Sequence, residues 1–107
     1  GKRCSSLHVL RHGRTIDMHA RQFILATGGI RGGGLIATPM GITEPLFDLP
    51  VRQPSGRGLW FHPSMFHEEG HPVDRSGIVV DQDLKPVDRE GRILLENVRA
   101  CGRILAG

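Results

Sequence analysis

The sequence predicts an α+β fold made mostly of strands, and three observations carry that expectation. Fifteen glycines and seven prolines in 107 residues punctuate the chain too often for a helical bundle, and they follow no period. Residues 7–20 alternate apolar and polar side chains around a glycine-centred turn, the period-2 mark of half-buried strands. Two strand-like runs, Phe23–Ala26 and Val98–Cys101 (apolar but for Arg99), each end near glycine. Strands of a parallel sheet read this way where they reach a ligand-facing edge, because ligands lie beyond the strands' carboxyl ends.

Taken in order, the first element is a β-hairpin turning at Arg11-His12-Gly13-Arg14. Leu7 and Val9 alternate with His8, and Ile16 and Met18 with Asp17 and His19. It runs almost directly into a strand at 22–26, where an unbroken apolar run predicts burial on both faces. Residues 29–58 carry Gly29, Gly32–Gly34, Pro39, Gly41, Pro45, Pro50, Pro54, Gly56 and Gly58. No long helix or strand fits there, although Gly34–Thr38 suits a short element. Residues 56–67 hold the single Trp and two of the four Phe, with a short helix expected around Arg57–Phe61. Ile78–Val80 reads as a strand followed by a polar turn and a return. Val98–Cys101 reads as the last strand, halted by Gly102.

Net charge is +3 with a pI near 9.5, yet the basic residues stand singly among the acids. Nucleic-acid binding usually shows a basic stripe with interleaved aromatics, and Arg11, Arg14 and Arg21 are the nearest approach to one. Solvated strand faces explain the charge better, so no nucleic-acid partner is expected. No apolar run of membrane-spanning length appears. Cys4 and Cys101 are too few for a disulfide framework and are expected to be reduced thiols, Cys101 as a small core residue. The chain opens Gly-Lys-Arg without Met and closes on RILAG straight after a strand-like run, which suggests a piece of a longer protein.

Several motifs point away from particular chemistries. Gly32-Gly33-Gly34 after Arg31 offers backbone N–H groups to an anion. It is not a Walker loop, and it does not open a helix as a dinucleotide fingerprint does. By itself it reads as a flexible turn. His62, His67 and His71 stand near Glu68, Glu69 and Asp74, but Pro63, Gly70 and Pro72 break any helix that would fix their geometry. Surface histidines are expected rather than a metal site, with a His acid or base left open. No Gly-x-Ser-x-Gly elbow or Cys-x-x-Cys pair occurs.

Two stretches, FILATGG at 23–29 and ENVRACGRILAG at 96–107, resemble a pair of signatures in flavoproteins with a two-part FAD domain. In those proteins one strand ends Ala-Thr-Gly on returning from a β-meander crossover, and a later strand closes the same sheet. The runs GGGLIATPMGITEPLFDLPV at 32–51, GLWF at 58–61 and SGIVVDQDLKPVDREG at 76–91 extend the likeness. Over nearly its whole length the chain resembles the C-terminal part of the B-subunit family of anaerobic glycerol-3-phosphate dehydrogenases.

The resemblance implies a fragment of a two-part, Rossmann-like FAD-binding domain plus an inserted cap or substrate region. Its parts would be 1–29 (end of the meander and a flavin-domain strand), 30–95 (cap) and 96–107 (final flavin-domain strand). It implies FAD or FMN in the full-length protein, with none expected on this piece alone. Thr27, Gly28 and Gly29 would line the flavin edge, with Gly102 and Arg103 opposite. Arg103 stands where many related flavoproteins carry Asp. The implied activity is oxidation of sn-glycerol 3-phosphate to dihydroxyacetone phosphate in anaerobic respiration. The implied partners are a second flavoprotein subunit and a membrane-bound iron–sulfur subunit, which place the protein in the cytoplasm at the inner face of the membrane. Arg31, Arg52 and Arg57 are candidates for the substrate's phosphate, because guanidinium forks suit it. Exposed loop arginines are the plainer alternative, and no catalytic base is assigned. The rival readings are a fumarate-reductase-like FAD oxidoreductase and a non-catalytic module binding anions or RNA. If the flavoprotein reading holds, Phe23–Ala26 and Val98–Cys101 pair in parallel, and the piece associates with itself.

Overall fold

The computed structural model describes residues 2–55, 60–64 and 70–107. The regular structure is mostly strand. Among the described residues there is no α-helix, and helix occurs as two 3-10 turns, Pro72–Arg75 and Gly102–Ile104.

Strands β1 (Ser6–Arg11) and β2 (Arg14–His19) form the expected antiparallel hairpin. The two-residue loop places His12 at φ 50° and Gly13 at φ 77°, the two positive angles that let a tight turn follow the natural twist of its strands. The expected half-burial is corrected: all six residues of β2 are exposed, with Ile16 42% and Met18 55% accessible. The physical reason is that β1 and β2 pair with each other alone, as a two-stranded sheet of their own.

Strand β3 (Phe23–Leu25) pairs in parallel with β8 (Val98–Ala100), in the register Phe23↔Val98, Ile24↔Arg99, Leu25↔Ala100. The parallel pairing matches expectation, and the roughly seventy intervening residues supply the crossover that parallel strands require. The amides of Phe23 and Cys101 extend the ladder to the carbonyls of Asn97 and Leu25, at 2.9 and 3.0 Å. On the far side of β8, the Ala100 amide donates to the Leu84 carbonyl at 2.8 Å. Burial of β3 on both faces is corrected: Leu25 is 2% exposed but Ile24 is 72% exposed, because the described residues cover one face of this pair. Cys101, expected in the core, is half-buried.

Strands β4 (Ile36–Thr38) and β5 (Gly41–Thr43) make a second hairpin, and β6 (Val51–Arg52) pairs antiparallel with β7 (Gly77–Ile78). The strand expected at Ile78–Val80 is thus displaced to Gly77–Ile78, and Val80 instead bridges Pro86. That bridge and a second, Val87↔Ile93, close two Asp-headed turns. Asp81 Oδ1 accepts the amides of Asp83 and Lys85, and Asp88 Oδ1 those of Glu90 and Arg92, the local bonding that makes Asp a turn residue. The helix expected around Arg57–Phe61 lies largely outside the described residues, and Trp60 and Phe61 form a bend.

One core joins these small sheets. Leu25, Leu35, Ile42, Leu49, Trp60, Val73, Ile78, Val98, Ala100 and Ile104 pack as a single buried cluster. The terminal segment stitches the two ends of the core together. It leaves β8, turns through Gly102–Ile104 and bridges Ile78 in parallel at Leu105. Ile104 is fully buried there.

Candidate functional site

The carboxyl ends of β3 and β8 lie side by side, so Thr27–Gly29 and Gly102–Arg103 emerge at one edge of the parallel pair. The structure thus brings together five of the residues singled out from the sequence. Gly29 explains how close they come: a Cβ there would stand 2.8 Å from the Arg103 carbonyl oxygen, inside any ordinary contact. Gly28 (φ 92°) backs onto Gly32, and a side chain at Gly34 would run into the Gly28 carbonyl. The amides of Gly32 and Leu35 both donate to the Gly29 carbonyl, at 3.2 and 3.4 Å. The Gly-rich run therefore folds back on the end of β3, and backbone occupies the space left by these absent side chains.

Thr27 and Gly102 behave differently. Both are exposed, and Gly102 (φ 79°) has nothing within 4 Å of the position a Cβ would take. Bare backbone at the end of a parallel strand admits a flat ring or a phosphate. At Thr27 and Gly102 the edge fits an approaching dinucleotide cofactor. At Gly29 the glycine is already required by the chain itself.

The three arginines singled out for a phosphate do not converge. Arg31 forms a two-pronged ion pair with Asp74, Nε to Oδ1 at 2.9 Å and Nη2 to Oδ2 at 3.1 Å. Those hydrogen bonds hold the Asp74 carboxyl below its ordinary range and raise the Arg31 guanidinium. Arg52, exposed on β6, lines a cleft of about 770 Å³ together with Trp60, Asp88 and Arg89. Arg57 lies outside the described residues.

Of the histidine cluster, His67, Glu68 and Glu69 also lie outside them. His62 and His71 are half-buried rather than at the surface. His71 Nδ1 accepts the His62 amide at 2.8 Å, and its ring meets Phe61 edge-on at 5.3 Å. Among the described residues no group of His, Cys, Asp and Glu could hold a metal ion, and no helix is long and apolar enough to cross a membrane.

Sequence reasoning passed over three polar anchors. Glu44 is 1% exposed, and its carboxylate accepts the amides of Leu46, Phe47 and Leu49 at 2.7–3.2 Å, which shapes the proline-punctuated loop. Gln53 pairs with both backbone groups of Ile42. Asn97, also 1% exposed, accepts the Cys4 amide and donates to the carbonyls of Cys4 and Arg21, so it fastens the amino-terminal segment beside β8. An acid inside an otherwise apolar, proline-rich run was the available signal for Glu44. For Asn97 there was only its place directly before an apolar strand.

Comparison with known proteins places the chain as a whole in a family. Residues 5–107 match the family described as FAD binding domain. The B subunit of anaerobic glycerol-3-phosphate dehydrogenase from Vibrio cholerae is 32% identical over 107 residues, covering 100% of this chain and 24% of that protein. The protein of the same name from Yersinia pestis is 34% identical over 105 residues, covering 98% and 24%. The chain thus spans about a quarter of the length of the curated relatives it matches. No solved structure matches at a significant level.

Proposed function

The chain belongs to the FAD binding domain family, and from that premise we propose that it is part of a flavin-dependent dehydrogenase subunit acting on sn-glycerol 3-phosphate. The observation that carries the reading is the β3–β8 parallel pair, with Thr27–Gly29 and Gly102–Arg103 at its carboxyl edge. FAD, or FMN, belongs to the full-length protein and meets this edge. Thr27 and the open backbone of Gly102 face it, Gly28 shapes the turn, and Gly29 sets the approach of the Arg103 backbone. Residues 1–29 and 96–107 are the flavin-domain part of this division, and 30–95 the cap or substrate region. When bound, the flavin ring supplies the acceptor for the two electrons leaving the substrate's secondary alcohol, whose product is dihydroxyacetone phosphate. The residues of this chain position the ring edge and hold the phosphate, for which Arg52 is the described candidate and Arg57 its neighbour in sequence.

The relatives are named as B subunits, so further subunits belong to the assembly. The notion of a second flavoprotein subunit and a membrane-bound iron–sulfur subunit, in the cytoplasm at the inner face of the membrane, follows from the family likeness. The test is bound flavin per chain in the full-length protein, with glycerol-3-phosphate-dependent dye reduction. Stoichiometric flavin and turnover are expected. A full-length protein that folds yet carries no flavin removes the reading.

A further inference from the structure

The 770 Å³ cleft lies apart from the glycine edge: none of Thr27, Gly28, Gly29, Gly102 or Arg103 lines it. Pro39 and Met40 of the β4–β5 turn form one part of its wall, Val51 and Arg52 of β6 another, and Val87–Arg89 a third, with Trp60 among them. Its volume is within the range of small-molecule sites, roughly 300–1,000 Å³. Three charged residues line it, Arg52, Asp88 and Arg89.

The acid is already committed. Asp88 Oδ1 accepts the amides of Glu90 and Arg92, and Oδ2 accepts Arg92 Nε at 3.1 Å. These bonds hold its carboxyl below the ordinary range. The cations are not committed. The Arg31, Arg92 and Arg99 side chains each bond a side chain or carbonyl, whereas among the described residues the guanidinium groups of Arg52 and Arg89 make no hydrogen bond or ion pair. Two arginines therefore line a cleft whose one carboxylate, although ionised, is already held by the amides of its own turn and paired with Arg92. Trp60 and Val87, both 7% exposed, give the same cleft an apolar component.

We propose that this cleft binds a small organic phosphate, with Arg52 and Arg89 as the two arms on the phosphate group and Trp60, Val51 and Val87 against the carbon body. Planar forks match the oxygens of a phosphate in pairs, and two of them neutralise its charge. The choice of anion rests on the dehydrogenase reading above. The site, and Arg89 as its second arm, rest on the cleft.

Trp60 is the single Trp of the chain, so its fluorescence reports on the cleft without a label. The experiment titrates inorganic phosphate and sn-glycerol 3-phosphate into the chain, with glycerol and potassium chloride at matched ionic strength as controls. Saturable changes are expected with the two phosphates and not with the controls. Arg52→Ala and Arg89→Ala should each weaken binding roughly tenfold, the size of a charge-assisted contact. Arg52→Lys and Arg89→Lys should lose part of that, since they keep the charge and lose the fork. Arg14→Ala, on the remote hairpin, should leave affinity unchanged. Fluorescence that ignores phosphate, or a response that survives both alanine variants, overturns the proposal. A chain that binds phosphate here, from a parent protein without flavin, keeps this inference and removes the dehydrogenase reading. A flavin-bearing parent whose cleft ignores phosphate does the reverse.

Discussion

A single missing methyl group decides the geometry where β3 ends. Gly29 has room for nothing larger than hydrogen because the Arg103 carbonyl fills the space, and a backbone oxygen cannot swing aside as a side chain can. Gly29→Val is therefore expected to lower stability by about 1–3 kcal/mol through overpacking, before any effect on a cofactor. Thermal melts against Thr27→Ala, at an exposed position, separate the two effects: Thr27→Ala should melt as the parent does. Glu44 makes the second prediction at this scale. Its carboxylate collects amides from Leu46, Phe47 and Leu49, and Glu44→Gln would turn an NH₂ group against those donors. The expected loss is about 2 kcal/mol or more in denaturant unfolding. The Arg31–Asp74 pair gives a pH dependence. Because the folded state depresses the Asp74 pKa, its contribution is present above the ordinary carboxylate range. It is lost as pH falls through the depressed value. Unfolding of Asp74→Asn followed from pH 6 to pH 2 should show a shallower acid decline than the parent, and equal slopes would remove the pair from the account.

Among the elements, the β1–β2 hairpin stands most on its own. Its register depends on a two-residue turn whose residues, His12 and Gly13, both lie at positive φ. Gly13→Val places a β-branched residue where it is strained. The expected outcome is local: backbone amides of β1 and β2 lose protection from hydrogen exchange while those near Ile104 keep theirs. Equal loss in both places would mean that the hairpin and the core unfold as one unit. The β3–β8 pair contrasts with it. Its ladder continues through Asn97 and Cys101 and is flanked by the Leu84 carbonyl, so it is tied into the core at both edges of β8.

The radius of gyration of the whole chain is 15.2 Å, above the about 13 Å typical of a compact domain near this length. Much apolar surface is left open: Leu10, Met18, Ile24, Met40 and Phe61 are each more than half exposed. Exposed apolar area and unpaired strand edges favour association. Light scattering of the 107-residue chain is expected to show mass rising with concentration, and Ile24→Lys, at 72% exposure, should shift the chain toward monomer without lowering its melting temperature. A monodisperse monomer at all concentrations would count against this.

Local pattern was legible in the sequence wherever it depends on neighbours along the chain. The β1–β2 hairpin, the apolar runs ending near glycine and the turn at Gly13 follow from alternation and backbone sterics. The likeness of FILATGG and ENVRACGRILAG to paired flavoprotein strands placed Phe23–Ala26 beside Val98–Cys101 in parallel, and the pairing is there, with the structure setting its register at Phe23↔Val98. Periodicity could not say which apolar faces would be covered, because burial depends on what packs opposite. Ile16, Met18 and Ile24 look like core residues and are exposed. The partners of the charged groups were also settled by the tertiary structure. Arg31 and Arg52 are equivalent as letters, yet Asp74, 43 residues downstream of Arg31, occupies one guanidinium, while Arg52 lines a cleft. Gly29 shows the same division most sharply. The sequence required a residue without a side chain where two backbones or a ligand come close, and the fold determined that the neighbour is the carbonyl of Arg103.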